Sequence, residues 1–294
     1  MNEEVKRGWG ERWPAPAKLN LLLRIVGRRN DGYHLLQTVF QFIDLADRIS
    51  FFPRSDRQIR LKNPLPGIAE ADDLTVRAAR LLQEHSLRCA GIDIEIEKNL
   101  PIGGGLGGGS SDAATVLIIL NKIWNLRFKT RELMDLGLSL GADVPIFVYG
   151  QSAWAEGVGE VLQPIDPPEP WYVVLVPECQ VSTAEIFRSG KLTRDNKPVT
   201  IERFNAGFNC NDCLAVVSQL YAPVKEALDA LSRFGDARLT GTGSCVFLAC
   251  DNPGSALEIA GQLENRYRVF VVKGCNRSPL HSKINILFDE TRPQ

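Results

Sequence analysis

Glycine occupies six of the seven positions from Gly103 to Gly109, interrupted only by Leu106, and Ser110, Ser111 and Asp112 follow directly. A run this dense costs backbone entropy and is kept where a side chain would obstruct a close approach. Ala113, Val116, Leu117, Leu120, Ile123 and Trp124 then recur at helical spacing, so the loop opens a helix with Ser110 or Ser111 as N-cap and Asp112 in its first turn. Unpaired N–H groups and the positive end of the helix dipole converge there on one point, which suits an anion and above all a phosphate chain. Two charged side chains elsewhere could act on such a ligand. Lys18 shares one face of the apolar strand Trp13–Val26 with Asn20, and Asp143 sits in the corner Gly141-Ala-Asp-Val-Pro145. Each also has a plain structural reading: an exposed strand edge for Lys18 and Asn20, an Asx-turn for Asp143. The same is true of Tyr33-His34, which follow the turn Gly27–Gly32 and could stack on and hydrogen-bond a planar ring.

The loop fits other phosphate-binding patterns poorly. Gly103, Gly105 and Gly108 satisfy G-x-G-x-x-G, but the preceding strand Ile92–Glu97 alternates apolar and acidic residues and so has one solvated face. Dinucleotide-binding sheets are parallel and buried on both faces. About 20 residues on, where an acidic side chain would hold a ribose, the chain reads Asn121-Lys-Ile-Trp-Asn125. No Gly-Lys-Ser/Thr closes a Walker loop, and a protein-kinase glycine loop lies between two strands rather than ahead of a helix. A flexible linker would not be flanked by an amphipathic strand and an apolar helix.

The elements that must position these residues are those of an α+β chain. Strands are expected at Trp13–Val26, across Leu35–Phe42 and Asp47–Phe51, and at Ile92–Glu97 and Ile146–Tyr149. Residues 52–72 read as loop, Asp72 or Asp73 caps a helix running to about His85, and Thr130 caps a helix that Gly141 stops. Pro164–Pro170 marks a boundary, dividing the chain into domains 1–165 and 166–294. Beyond it, strands at Trp171–Val176, Arg238–Thr240, Cys245–Ala249 and Arg268–Val272 alternate with helical segments, and Gly241–Ser244 forms a glycine turn. The pattern is a sandwich with one face of the sheet covered by helices.

Composition narrows the class. With 294 residues, 44% hydrophobic and 23% charged, the chain is an ordinary globular protein large enough for two cores. A formal charge of −1 gives no electrostatic case for nucleic-acid or membrane partners. No apolar run approaches the ~20 residues of a spanning helix. The segment Met1–Arg7 has no apolar stretch of the signal-peptide kind, and the seven cysteines read as reduced thiols, so a cytoplasmic location is expected. Cys210-x-x-Cys213 lacks a second pair, and with three histidines in the chain no protein-held metal site is expected.

A glycine loop, a lysine and a carboxylate are the set that phosphoryl transfer needs: a cradle for phosphates, a cation to offset charge and an acceptor for the proton of an attacking hydroxyl. An aspartate is a weak base toward a free alcohol but suffices when that proton leaves late, as the phosphorus–oxygen bond forms. The same segments resemble three motifs of the galactokinase, homoserine kinase, mevalonate kinase and phosphomevalonate kinase superfamily. They are Pro16-Ala-Lys-Leu-Asn20, Pro101–Ala114 and Leu239-Thr-Gly-Thr-Gly-Ser-Cys-Val-Phe247. Within it, Asp31-Gly-Tyr-His34, Gly141–Phe147, Glu156-Gly-Val-Gly-Glu160 and Ser278-Pro-Leu280 resemble the branch acting on a cytidine diphosphate ester of methylerythritol, in non-mevalonate isoprenoid synthesis.

That resemblance implies an ATP-dependent kinase that uses Mg²⁺ and phosphorylates the 2-hydroxyl of the methylerythritol moiety. The implied fold is an N-terminal domain of the ribosomal-protein-S5-domain-2 type and a ferredoxin-like C-terminal domain, with the site between them. Asp143 would be the base and Lys18 its cationic partner. Pro101, Ile102, Gly103, Gly104, Gly105, Leu106, Gly107, Gly108, Gly109, Ser110 and Ser111 would hold the triphosphate. Lys98, Asp73 and Leu74 would border the adenine, with Asp73 standing where the family commonly has Asn. Asn20 would contact the substrate, Tyr33 would stack on cytosine, His34 would hydrogen-bond it and Phe187 would close the other side of the ring. A monomer or weak dimer is implied. A sister kinase for homoserine or mevalonate would have no base for Tyr33-His34, a silent nucleotide-binding module would lack Lys18 or Asp143, and a dehydrogenase conflicts with the strand pattern.

Overall fold

The computed structural model describes residues 8–86 and 89–288; the segment Met1–Arg7 read above lies outside them. Trp13–Arg28 (β1) and His34–Pro53 (β2) pair antiparallel from Trp13 opposite Ile49 to Arg28 opposite His34. The expected strands around Phe42 and Asp47 are therefore one element. The register slips between Pro16 and Lys18 and again between Asn20 and Leu22, and such irregularities re-aim side chains. Ile59–Leu61 (β3), inside the expected loop, runs parallel to Ile92–Glu97 (β4), which pairs antiparallel with β2. In β4 the three isoleucines are buried and the acids face outward, as the alternation required. Ala153–Glu156 (β5) adds to β2, and Val161–Pro164 (β6) to β5.

Four helices cover the inner face of this sheet: Leu74–Glu84 (α1), Gly108–Ile123 (α2), Thr130–Leu140 (α3) and Val144–Tyr149 (α4). The last replaces the strand expected at Ile146–Tyr149. A short apolar run buried on all sides carries no period, and Pro145 at the start of the helix is the one local signal for it. Helix α2 also begins earlier than expected. Gly107, at φ +77°, is its N-cap; neither serine caps it, and Asp112 is its fifth residue, beyond the first turn. Lys129, not Thr130, stands before α3, and its N–H donates to Glu132 Oε2 at 2.7 Å.

The second half places Trp171–Val176 (β7) between Val246–Cys250 (β9) and Arg268–Cys275 (β10), with Arg238–Leu239 (β8) on the edge of β9. Thr183–Arg188 (α5), Ile201–Asn205 (α6), Leu214–Leu220 (α7), Ala222–Leu231 (α8) and Pro253–Leu263 (α9) complete it. The end of β10 pairs with β2 at Gly274–Ile43 and Cys275–Phe42, so hydrogen bonding is continuous across both halves. Pro279–Phe288 (α10) returns to the first half and buries Leu280 and Ile284 in its core.

Between the two main cores lies a third, formed by Leu19, Leu21 and Leu22 of β1 with Val174 of β7, Phe247 of β9 and Leu106 of the glycine loop. A buried amide closes the polar side of this junction: Gln41 accepts from Tyr172 at 2.6 Å and donates to Pro168 O and Asn276 Oδ1. Gln41 belongs to the first half and these three partners to the second, so losing the amide leaves buried polar groups unpaired across the junction.

Candidate active site

A cleft of about 530 Å³ opens along this junction. Every residue from Pro101 to Ser110 lines it. The carbonyls of Gly103 through Gly107 all turn into the protein. Ser244 N–H donates to Gly103 O, Cys245 N–H to Gly104 O, the Lys18 ammonium to Gly105 O, Lys18 N–H to Leu106 O and Ser111 N–H to Gly107 O. Among the described residues, no N–H from Gly103 to Ser110 donates to another group of the chain. A loop with its carbonyls spent and its N–H groups free, at the head of a helix, is a nest for anionic oxygens. Ser111 is fully buried and does not line the cleft; its hydroxyl has no partner among the described residues.

Much of the glycine requirement comes from the protein itself. A Cβ on Gly104 would meet Cys245 Sγ at 2.6 Å, and one on Gly107 would meet Phe147 at 2.7 Å and the Lys18 chain at 3.2 Å. One on Gly105 would meet the carbonyls of Thr240 and Gly243. The turn Gly241–Ser244 is thus the clamp that presses the loop into place.

Lys18 is 3% exposed and Asn20 5% exposed, which rules out the strand-edge reading. The Lys18 ammonium donates to Asn20 Oδ1 at 2.6 Å and to Gly105 O at 3.1 Å, and it forms an ion pair with Asp143 Oδ2 at 3.3 Å. Asn20 is held in turn by Thr38, to which its amide donates at 2.8 Å, and by Thr240, which accepts from its backbone N–H. Asp143 occupies the N-cap position of α4 but caps nothing with its side chain, and it faces the cleft. Its other oxygen has no partner among the described residues. Thr240 lies within the motif Leu239–Phe247 read above, whereas Thr38 carries no sequence signal for such a role.

At the far end of the loop, Asp72, Asp73, Leu74 and Lys98 border the cleft. Asp73 caps α1, accepting from Thr75 N–H at 2.8 Å and from the Thr75 hydroxyl. Lys98 is clasped by two buried carboxylates, Asp47 at 2.5 Å and Asp112 at 2.6 Å. Asp47 also accepts from the N–H groups of Asn99 and Leu100, whereas Asp112 Oδ1 has no partner among the described residues. Burial, and then the neighbouring Asp47, outweigh the pull of Lys98 and push Asp112 from its ordinary 3.8 up to about 7. Lys98 itself is raised, the two carboxylates together outweighing its burial. Because the folded protein holds this proton more tightly, the associated stability is complete below about pH 4 and is lost as pH rises through about 7. Asp112→Asn, neutral throughout, removes that slope. Urea unfolding will show the wild-type advantage over this variant shrinking by about 1–3 kcal/mol between pH 5 and pH 8. An advantage equal at both pH values would place the proton elsewhere.

The predicted base-binding residues divide. Phe187 lines the cleft, together with Leu36, Thr38 and Val158. His34 is buried and stacks on Phe187, ring centroids 4.8 Å apart, without lining the cleft. Tyr33 is 61% exposed and also outside the lining. Burial first, then the charges of Arg194 and Arg28, lower the His34 pKa, so the ring is neutral near pH 7. Arg194, which no sequence pattern singled out, donates to His34 Nε2 at 3.0 Å.

Fold and cleft together define a small-molecule kinase: the "GHMP kinases N terminal domain" matches residues 73–151 and "GHMP kinases C terminal" residues 194–269. A mevalonate kinase of known structure superposes with a TM-score of 0.68 at 18% identity, over 91% of this chain and 100% of that one, a likeness of fold alone. A solved 4-(cytidine 5'-diphospho)-2C-methyl-D-erythritol kinase superposes with a TM-score of 0.78 at 32% identity, over 90% of this chain and 99% of that one. The 4-diphosphocytidyl-2-C-methyl-D-erythritol kinase of Nitrosococcus oceani is 53% identical over 268 residues, 91% of this chain and 96% of its own. The chain belongs to the 4-diphosphocytidyl-2-C-methyl-D-erythritol kinase family of the GHMP kinases.

Proposed function

We propose that the protein transfers the γ-phosphoryl group of ATP to the 2-hydroxyl of 4-diphosphocytidyl-2-C-methyl-D-erythritol, a step in isoprenoid precursor synthesis. The observation that carries the reading is the Lys18–Asp143 pair, 3.3 Å apart in the same cleft as the free N–H groups of the glycine loop. The loop holds the phosphates, Asp143 takes the hydroxyl proton with its unpartnered oxygen, and Lys18 offsets the charge that collects between them. Two of the three Lys18 donors are held by Asn20 and Gly105, which leaves the third to face Asp143 or a phosphate oxygen.

Magnesium would come with the nucleotide. Among the described residues no group of three or more His, Cys, Asp or Glu side chains could cage a cation. Mg²⁺ bound through phosphates and retained waters needs only one or two protein oxygens. When bound, it neutralises phosphate charge as the phosphoryl group moves. We take the enzyme to act as a monomer or weak dimer. No helix of the described residues is long and apolar enough to cross a membrane, and we place the enzyme in the cytoplasm. We take residues 1–165 and 166–294 as its two domains; the family matches at 73–151 and 194–269 fall one on each side of that boundary.

Phosphorus NMR tests the activity. With Mg-ATP and the cytidine diphosphate ester, ADP and a new phosphomonoester will appear together. ADP formed only with homoserine or mevalonate would retain the kinase class and reject the substrate.

A further inference from the structure

Arg194 lies in the segment between α5 and α6, and its guanidinium is spent on the chain. Nη1 donates to Leu192 O at 3.0 Å, Nη2 to Phe187 O at 2.9 Å and Ser189 O at 2.7 Å, and Nε to His34 Nε2 at 3.0 Å. A guanidinium has donors and no acceptor, so His34 Nε2 must be the bare nitrogen of the ring. In a neutral imidazole the proton then sits on Nδ1, which has no hydrogen-bond partner among the described residues. The same arginine holds the carbonyl of Phe187, whose ring stacks on His34 and lines the cleft. One side chain therefore fixes both the position of the aromatic wall and the hydrogen-bonding character of the histidine against it.

We propose that Arg194 determines pyrimidine specificity: by locking His34, which stacks on the cleft-lining Phe187, as the Nδ1–H tautomer, it holds a donor ready for the base, which N3 of cytosine accepts and N3–H of uracil opposes. This rests on the reading of His34 as the residue that hydrogen-bonds the base. The opposite tautomer would present an acceptor at Nδ1 and invert the preference. A site that pairs a donor with the correct base leaves two donors facing each other with the wrong one, which is costly in a partly buried place.

The first test reads the wild-type protein and uses a substitution only for assignment. With three histidines in the chain, ¹⁵N spectra of the imidazole nitrogens of the whole protein near pH 7 can be assigned with His34→Gln. His34 will show a protonated Nδ1 and a bare Nε2; a protonated Nε2 overturns the proposal outright. Arg194→Met will mix the tautomers and lower the ratio of kcat/KM for the cytidine ester over its uridine counterpart by about 100-fold. Arg194→Lys, still a pure donor, will recover part of both, and it keeps the test open if the Met variant does not fold. If His34→Ala leaves the ratio unchanged, the base-contact reading fails and this proposal with it. If His34→Ala lowers the ratio while Arg194→Met alters neither tautomer nor ratio, only the role of Arg194 fails.

Discussion

Asp143→Asn lowers kcat by about 10²–10⁴-fold, the usual yield of a positioned general base, and leaves ATP binding intact. The amide keeps the size of the carboxylate, and its oxygen can still face the Lys18 ammonium, 3.3 Å from the carboxylate in the wild type. What it loses is the oxygen that has no partner among the described residues and is free to take a proton. Because that proton moves only as the new bond forms, kcat and kcat/KM should fall together, with little change in KM. Lys18→Met acts differently. It leaves Asn20 Oδ1 without its donor and Gly105 O with the Thr240 hydroxyl alone, at a position 3% exposed to solvent, so it costs stability as well as rate. Steady-state kinetics beside binding of a fluorescent ATP analogue separates the two. An Asp143→Asn enzyme that turns over at the wild-type rate would remove Asp143 from the chemistry.

What could be read from the sequence was what is local. The isoleucines of Ile92–Glu97 alternate with acids, and the strand is where they put it. The glycine run ahead of an apolar stretch does open a helix, although Gly107 in a left-handed conformation, rather than either serine, is the cap. Buried on all sides, Val144–Tyr149 presents no face, and its helix was legible only in Pro145. The environment of Lys18 and Asn20 was out of reach for a different reason. Their strand looked exposed on one side because the residues that cover it, Thr240 among them, lie 220 positions further on. Arg194 and His34, 160 residues apart, are likewise joined only by the fold. That Asp47 and Asp112 share the ammonium of Lys98 could not be inferred from spacing.

The glycines of the loop are not interchangeable, and two alanine substitutions should separate their reasons. Gly105 has φ +77°, where a Cβ is strained whatever surrounds it, and its Cβ would press on the backbone oxygens of Thr240 and Gly243. Backbone cannot rotate away as a side chain can. Gly105→Ala should therefore cost about 2–4 kcal/mol of stability, from left-handed strain and overpacking together, and shift the loop enough to raise KM for ATP. Gly109 is the second residue of the helix Gly108–Ile123, with no positive φ, and the nearest atom to its Cβ would be Leu74 Cδ1 at 3.6 Å. Protein alone gives it room. Gly109→Ala should keep or gain up to about 1 kcal/mol of stability, since alanine loses less backbone entropy in a helix. Yet Gly109 lines the cleft beside the free N–H groups, where a methyl intrudes on the nucleotide. Thermal unfolding and ATP titration of both variants decide the matter: Gly105→Ala loses stability and affinity, Gly109→Ala loses affinity alone. If Gly109→Ala binds ATP as the wild type does, the phosphates lie elsewhere along the loop, and the density of glycine at its helical end has no ligand to explain it.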